Sequence, residues 1–422
     1  MAPVRPRSLL HHRVLGVWIA AAVIAGFASL ASRDEPRQRV ASDLPPIAVT
    51  VPSLPPITVP GLDVPPITVP DVRVEVELDL GLDPALPPQV LGPVLDLVGG
   101  AGSPVDIDRP GLWLIDADTG SARIFFTDLL VNEVAFAPDG RRAAVTTFEG
   151  RSRHGSQKRT MWVLDLVTGA RRPIAGPVTG LGGPSWSPDG KLIAYSDWWT
   201  SPDGPFDEYV DGIWVVRPDG SGRRRVAGTD QYGGHMSWSP DSRFITGNLV
   251  NDDRVLVAGV VDGTERRHPY TDPAYSEWSP TGGLLAVGKT FDGPLDTMDP
   301  MTGATRTIAA DLWGPKWSPD GTWIAAEGDD PGEGTFVLRP DGSERRHVSD
   351  LDLRGWATDG RHLLLGSYGI GQSILDLETG EERVISNRPA PGLDWSSGEF
   401  VPGTHRAAML VYPATSPPPP GL

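Results

Sequence analysis

From about Pro110 to Pro413 the apolar residues come in short runs, most of them four to six long, separated by clusters of Gly, Pro, Asp, Ser and Thr. Runs of that length bounded by turn formers predict β-strands rather than helices. One phrase recurs at the start of each unit. It reads Phe136-Ala-Pro-Asp-Gly140, Trp186-Ser-Pro-Asp-Gly190, Trp238-Ser-Pro-Asp-Ser242, Trp278-Ser-Pro-Thr-Gly282, Trp317-Ser-Pro-Asp-Gly321 and Trp356-Ala-Thr-Asp-Gly360, with a degenerate seventh at Trp395-Ser-Ser-Gly398. Successive aromatic positions lie 50, 52, 40, 39, 39 and 39 residues apart. A period near 40 marks a propeller blade of four short strands.

The phrase has the chemistry of a hairpin turn: Pro presets φ, Asp bonds neighbouring amides and Gly accepts a positive φ. A second hairpin follows in each unit, as in Leu112-Trp-Leu-Ile-Asp116 with its turn Asp118-Thr-Gly120. Eight residues after the aromatic stand Ala144, Ala194, Thr246, Ala286, Ala325 and Leu364, mostly small enough for blades to pack closely. Arg stands three residues after each second-turn Gly, at 123, 172, 223, 266, 306, 345 and 383. Repetition so regular reads as architecture, a charge guarding the outer strand edge. The repeat region opens on a second hairpin and ends on a first one, so the last blade must combine strands from both ends. The expected fold is all-β: a seven-bladed β-propeller, or six-bladed if the weak Trp395 unit is not a blade.

Outside the repeats the pattern changes. Arg5, Arg7 and Arg13 precede an uncharged, mostly apolar run from Val14 to Ala31. It reads either as a signal peptide cleaved after Ala31 or as a signal anchor that holds the chain on the outer side of a membrane. Residues 32–109 are Pro-rich, with Leu44-Pro-Pro-Ile47, Leu54-Pro-Pro-Ile57 and Val64-Pro-Pro-Ile67 repeating every ten residues. Such Pro density favours an extended stalk, which inclines the reading towards the anchor. Val72 to Leu80 alternates apolar and charged residues like a strand without an evident partner. The expected organisation is therefore a leader at 1–31, a linker or stalk at 32–109, the propeller at 110–414 and a disordered Pro-rich tail at 415–422.

Composition narrows the function. A formal charge of -17 argues against a nucleic-acid partner, since phosphate binding needs a basic face. Zero Cys removes disulfides, thiolate metal sites and a Cys nucleophile. No Gly-x-Ser-x-Gly, His-Glu-x-x-His, P-loop or dinucleotide fingerprint occurs. No cofactor and no metal site is expected.

The run Trp-Ser-Pro-Asp-Gly followed by an Ile-Ala strand, clearest at Trp186 to Tyr195 and Trp317 to Ala326, resembles the repeat of TolB-type propellers. The resemblance covers about 300 residues and implies the fold and a protein-binding tendency. Propellers of this kind serve as periplasmic binding modules, as gates of serine peptidases and in some cases as sugar lyases, so it fixes no activity. It also departs from TolB, whose N-terminal α/β domain is replaced by the Pro-rich stretch.

Two groups of residues are candidate ligand contacts. Asn132, Glu133, His235, Tyr275 and Trp313 fall where inner strands begin, at the channel mouth. Two blades exceed the period, and both insert residues between their second and third strands. One insert is basic (Arg151, Arg153, His154, Lys158, Arg159); the other is acidic and aromatic and brings Trp198, Trp199, Asp207 and Tyr209. Exposed aromatics beside charges are typical of binding hot spots. The expected function is an exported, monomeric, non-enzymatic scaffold for a protein or a cell-surface polymer. The alternative is a lyase or hydrolase acting on carbohydrate at the channel mouth through Glu133 and His235.

Overall fold

The computed structural model describes residues 104–413 apart from 152–156, 180–182, 201–208, 229–232, 250–252, 290–292, 331, 368–370, 392 and 397, and with them the strand segments 47–51, 72–76, 90–91 and 94–97. The leader run Val14 to Ala31 and the tail at 415–422 lie outside the described residues, and so does most of the proline repeat. Among the described residues no helix is long and apolar enough to cross a membrane. The chain divides into two compact units, Met1–Gly81 and Leu82–Leu422.

In the first unit, Val72–Val76 pairs antiparallel with Ile47–Val51, from Ile47↔Val76 to Val51↔Val72. This supplies the partner that the alternating sequence lacked. Ile47–Val51 escapes the proline constraint because it lies between Pro46 and Pro52, and so keeps its amides for pairing.

The second unit contains seven antiparallel sheets of at least four strands each. Their innermost strands are Leu130–Phe136, Ser185–Trp186, Gly233–Trp238, Tyr275–Trp278, Leu312–Trp317, Leu353–Trp356 and Leu393–Ser396. We number the blades 1 to 7 in that order. In blade 7, Leu393–Ser396 pairs with Arg406–Pro413, which pairs with Gly111–Asp116 and then Ala122–Phe125. The ring is therefore closed by strands from both ends, and the weak Trp395 unit is a true blade.

The repeated phrase works as its chemistry predicts. In blade 5, Ser318 Oγ donates to Asp320 Oδ1 (2.6 Å) and accepts the Trp323 amide (2.9 Å), while the Gly321 amide donates to the Ser318 carbonyl (2.8 Å). Gly321 sits at φ +72°, the left-handed region that favours Gly. Blade 3 has Ser242 at this point and holds it at φ +60°; its Oγ accepts the Asp189 amide of blade 2 (3.1 Å).

The aromatics join the blades. The indole N–H of Trp186 donates to the Ala135 carbonyl (3.1 Å), Trp238 to Ser185 (3.0 Å), Trp317 to Glu277 (3.1 Å) and Trp356 to Lys316 (2.9 Å). Each acceptor is the residue just before the aromatic of the preceding blade. Opposite them Ala144, Ala194, Thr246, Ala286, Ala325 and Leu364 are fully buried.

At the rim two of the recurrent Arg reach the next blade. Arg123 donates to the Leu166 and Val167 carbonyls (3.0 and 2.9 Å), and Arg383 donates to the Ala117 carbonyl. These side chains are brackets between blades as well as edge charges. Two outer edges are paired outright: Val90–Leu91 with the outer strand of blade 1, and Val94–Leu97 with that of blade 7. Val105 then bridges Ser386 of blade 6. Val90–Leu91, Val94–Leu97 and Val105, within the Pro-rich stretch, thus pair with strands of blades 1, 7 and 6 in turn.

Trp278 tests the inter-blade bond, because its indole nitrogen is buried without a hydrogen-bond partner. Trp317→Phe and Trp278→Phe delete the same volume, but only the first deletes the bond. Trp317→Phe should cost about 1 kcal/mol more, roughly 2–4 °C in melting temperature. Equal losses in parallel thermal melts would show that the indole bond contributes nothing.

Candidate functional site

Inner strands begin at one end of the channel, and the hairpin between second and third strands opens at the same end. In blade 1 that hairpin is long: Arg142–Arg151 pairs with Gln157–Asp165 out to Arg151↔Gln157. The outer strand Ala170–Thr179 follows it as far as Thr179↔Lys158. In blade 2, Ile193–Thr200 pairs with Tyr209–Val216 out to Thr200↔Tyr209. The corresponding strands of blades 3 to 6 are four to six residues long. At roughly 3.3 Å per residue the two inserts are therefore strand-built arms that extend about 10 Å beyond their neighbours.

Trp198, Trp199 and Tyr209 occupy arm positions opposite Asp211, Val210 and Thr200. Their side chains, and all of Asp207, lie outside the described residues. His235 stands on the inner strand of blade 3, within the irregularity between Gly233 and Met236; its side chain also lies outside the described residues.

Asn132 and Glu133 do come together, at a bulge between Val131 and Glu133 that turns the carboxylate off the ladder. Glu133 Oε2 accepts Thr146 Oγ1 (3.3 Å). Burial pushes this carboxyl above its ordinary range, against the pull of Arg159 and the hydrogen bonds of Thr146 and Asn132. Gly183 of blade 2 faces it, and a Cβ there would come within 3.4 Å of Oε2. Absence of a side chain leaves that approach clear.

Tyr275 and Trp313 also come together, with ring centroids 5.9 Å apart and planes inclined at 45°. The Trp313 indole donates to the Gly328 carbonyl (3.0 Å). Burial, then the nearby Glu327 carboxylate, raises the Tyr275 hydroxyl. Among the described residues Asn132 with Glu133 and Tyr275 with Trp313 are therefore two pairs, on blade 1 and on blades 4 and 5.

Sequence reasoning missed the charges around the second group. Glu327 is pushed up to about 7, chiefly by burial, with Arg354 and Lys316 opposing and Asp352 reinforcing. Arg354 pairs with Asp352 (3.2 Å) and lies 5.2 Å from the Trp395 ring centroid. Glu277 and Glu399 are likewise raised to about 7 by burial, with Lys316 opposing. These last two are already engaged: Glu277 Oε1 accepts the Trp317 amide (3.4 Å), and Glu399 accepts the Phe136 amide. Each receives the backbone N–H of the next blade's aromatic and so belongs to the ring joint. Glu327 accepts the Leu353 amide and stands beside the aromatic pair.

A signal existed. Ten residues after the aromatic, the blades have Thr146, Ser196, Asn248, Gly288, Glu327 and Gly366; Glu327 is the charge among small polar positions. Chemically, Tyr275, Trp313, Glu327 and Arg354 offer two inclined aromatic faces beside a carboxyl whose burial favours the protonated form, and a cation. Such a set suits stacking and hydroxyl or amide recognition. Among the described residues no group of three or more His, Asp or Glu is disposed to hold a metal ion.

No family model matches the chain, and no curated protein matches it. Solved structures do. Oligogalacturonate lyase in complex with manganese is 12% identical, with a TM-score of 0.52 over 78% of this chain and 98% of the lyase. The Cps50 (Swd1) β-propeller domain of Myceliophteria thermophila is 15% identical, with a TM-score of 0.49 over 68% of this chain and 98% of that domain. TolB from Acinetobacter baumannii is 19% identical, with a TM-score of 0.42 over 60% of this chain and 62% of TolB. The chain thus spans under two thirds of TolB. At these identities the likeness is one of fold.

The raised carboxyls make stability depend on pH. Glu277, Glu327 and Glu399 titrate near 7 in the fold and near 4.5 otherwise. Their contribution is full below about 4.5 and is lost as pH rises through about 7. The capping Asp residues, whose values are lowered, act only below about 4, outside this window. Melting temperature should therefore fall from pH 5.5 to 8, by on the order of 2–4 °C for each carboxyl. The double variant Glu277→Gln/Glu399→Gln should flatten the slope; an unchanged slope would assign it elsewhere.

Proposed function

We propose that this chain is an exported, membrane-tethered propeller that holds a protein or a cell-surface polymer and performs no catalysis. The observation that carries this reading is the pair of arms on adjacent blades 1 and 2. Each lengthens a hairpin at the mouth end, where the Tyr275–Trp313 surface also lies. Strand-built arms hold binding residues more rigidly than loops do, which lowers the ordering cost of association. The arms differ in charge, basic at Lys158 and Arg159 and acidic at Asp203, Asp207 and Glu208, which suits a partner with its own charge asymmetry. Export rests on the Arg-flanked apolar run from Val14 to Ala31, and tethering on the proline segment that follows. The mature N-terminus decides between a cleaved leader and an anchor.

Replacing residues 150–158 and 201–208 by short turns removes both arm tips and spares Arg159 and its pull on Glu133. The shortened protein should melt within about 2 °C of the parent, since the buried core clusters and the indole bonds between blades involve none of the replaced residues. Crosslinking in intact cells should then lose the partner bands that the parent gives. Undiminished capture by the shortened chain would remove the arms from the interface.

Glu133 and Glu327, both raised by burial, favour a second reading. A carboxyl raised above its ordinary range can act as a general base or acid, and the lyase shares this fold. Under that reading purified protein cleaves an oligouronate or another glycan, with or without added manganese, and Glu133→Gln or Glu327→Gln lowers the rate at least 100-fold. A negative glycan screen leaves the scaffold.

A further inference from the structure

At the end of the ring opposite the arms, the turns of blades 1 and 2 enclose a cleft of about 520 Å³ lined by Arg142, Arg172, Lys191 and Arg217 with Asp165 and Asp219. Four cations against two carboxylates is unusual in a chain of net charge -17. Both carboxylates are engaged within their own turns. Asp165 Oδ1 accepts the Val167 and Thr168 amides (2.9 and 2.8 Å), and Asp219 Oδ1 accepts the Ser221 amide (2.8 Å).

The cations divide into two kinds. Arg142 is clamped on Asp139 through Nε and Nη2 (3.0 and 2.8 Å) and lies 5.0 Å from the Trp186 ring centroid, so it forms wall. Lys191 holds Asp189 at 3.0 Å but is largely exposed and free to swing. Arg172 and Arg217 make no ion pair within 4.0 Å among the described residues; Asp219 attracts both from a distance, and Arg217 has one long bond to Ser221 Oγ (3.4 Å). Arg172 belongs to the recurrent rim set, of which Arg123 and Arg345 pair directly with Asp96 (2.5 Å) and Asp311 (2.6 Å) while Arg223 donates to the Tyr195 hydroxyl (2.6 Å). At the boundary of blades 1 and 2 the bracket instead ends on a cleft with room for a ligand. Val163 and Pro218 add an apolar patch to the lining.

We propose that this cleft binds an anionic group, a phosphate or a carboxylate, carried on a small molecule up to roughly the size of a disaccharide, between Arg172 and Arg217. Guanidinium forks take such groups through two parallel hydrogen bonds, and the volume falls in the range of small-ligand sites. Lys191 closes over the anion as a mobile charge, and the Val163 and Pro218 patch meets the apolar face of the attached ring. The inference is independent of the arms and the mouth, which lie at the other end of the strands.

Titration calorimetry on the full chain tests it with glucose 6-phosphate, glucuronate and glucose as probes. At least one of the two anions should bind, glucose should not, and affinity should fall several-fold between 50 and 300 mM salt, because the contact is charge-assisted and exposed. The stronger anion tells phosphate from carboxylate. Arg172→Gln/Arg217→Gln should weaken binding at least ten-fold. Arg217→Gln alone, at an exposed residue, should weaken it measurably even if the double variant folds poorly. Arg217→Lys, which keeps the charge and loses the fork, should fall between. Failure of both anions to bind the parent, or equal binding to Arg217→Gln and the parent, would overturn the proposal.

Discussion

A single hydrogen bond sets the geometry of this ring: the indole N–H of one blade's tryptophan donates to the carbonyl just before the aromatic of the blade behind it. Because the donor is fixed in a rigid bicycle and the acceptor in a β-ladder, the bond holds both the distance and the angle between successive sheets. Everything near it is adapted to that closeness. The residue eight positions after the aromatic, paired with the residue before it, is small or apolar and fully buried, and in blades 3 and 5 the Ser that follows the Trp starts the turn at once. Boundaries without the bond show the same need: at blade 4 the Trp278 indole is unpartnered and its amide donates to Ser237 Oγ of blade 3 (3.0 Å). Blade 1 carries Phe136, which has no indole donor, and there Glu399 of blade 7 accepts the Phe136 amide. Residues 90–97 pair with the outer edges of the same two blades. The weakest joint is thus supported at both its inner and its outer ends.

That bond also explains where chemical variation is permitted. At the position before the aromatic the carbonyls of Ala135, Ser185, Glu277 and Lys316 are committed to the neighbouring blade, but the side chains are not. Ala135, Ser185, Ser237, Glu277, Lys316, Gly355 and Asp394 all serve there. Ser237 and Glu277 use the freedom to reinforce the joint, accepting the amides of Trp278 and Trp317. Lys316 instead places a cation among Glu277, Glu327 and Glu399. Two of those carboxyls are held by the ring, and Glu327 stands beside Tyr275 and Trp313. Buried charge is tolerated in the channel because opposite signs share it.

The fold was legible because its determinants are local and repeated. A turn phrase seven times over, with an aromatic at its head, specifies the hairpin, the period and the splice that closes blade 7, and the structure contains all three. The mouth was legible only in part. Asn132 with Glu133 and Tyr275 with Trp313 are neighbours because each pair lies on one strand or on facing strands of adjacent blades. That they form two pairs depends on where around the ring blades 1, 4 and 5 stand, which periodicity does not encode. Glu327 and Arg354 went unnoticed because their partners come from different blades, although Glu327 breaks a run of small residues at its repeat position. The pairing of Val72–Val76 with Ile47–Val51 was hidden for a like reason: proline on both sides of the partner concealed a strand of five residues.

The two ends of the strands obey different constraints, and that difference locates the unusual features. The turns at the phrase end satisfy their own amides with Ser, Thr or Asp side chains and are nearly identical, so differences at that end come from the side chains beside them. Hairpins at the mouth end carry no such requirement, and their lengths vary from blade to blade without disturbing the inter-blade bond. Insertions accumulate there because the ring does not register them. Arms on blades 1 and 2 are length that the ring itself does not require, and Arg172, repeated for architecture, lines the cleft between the same two blades.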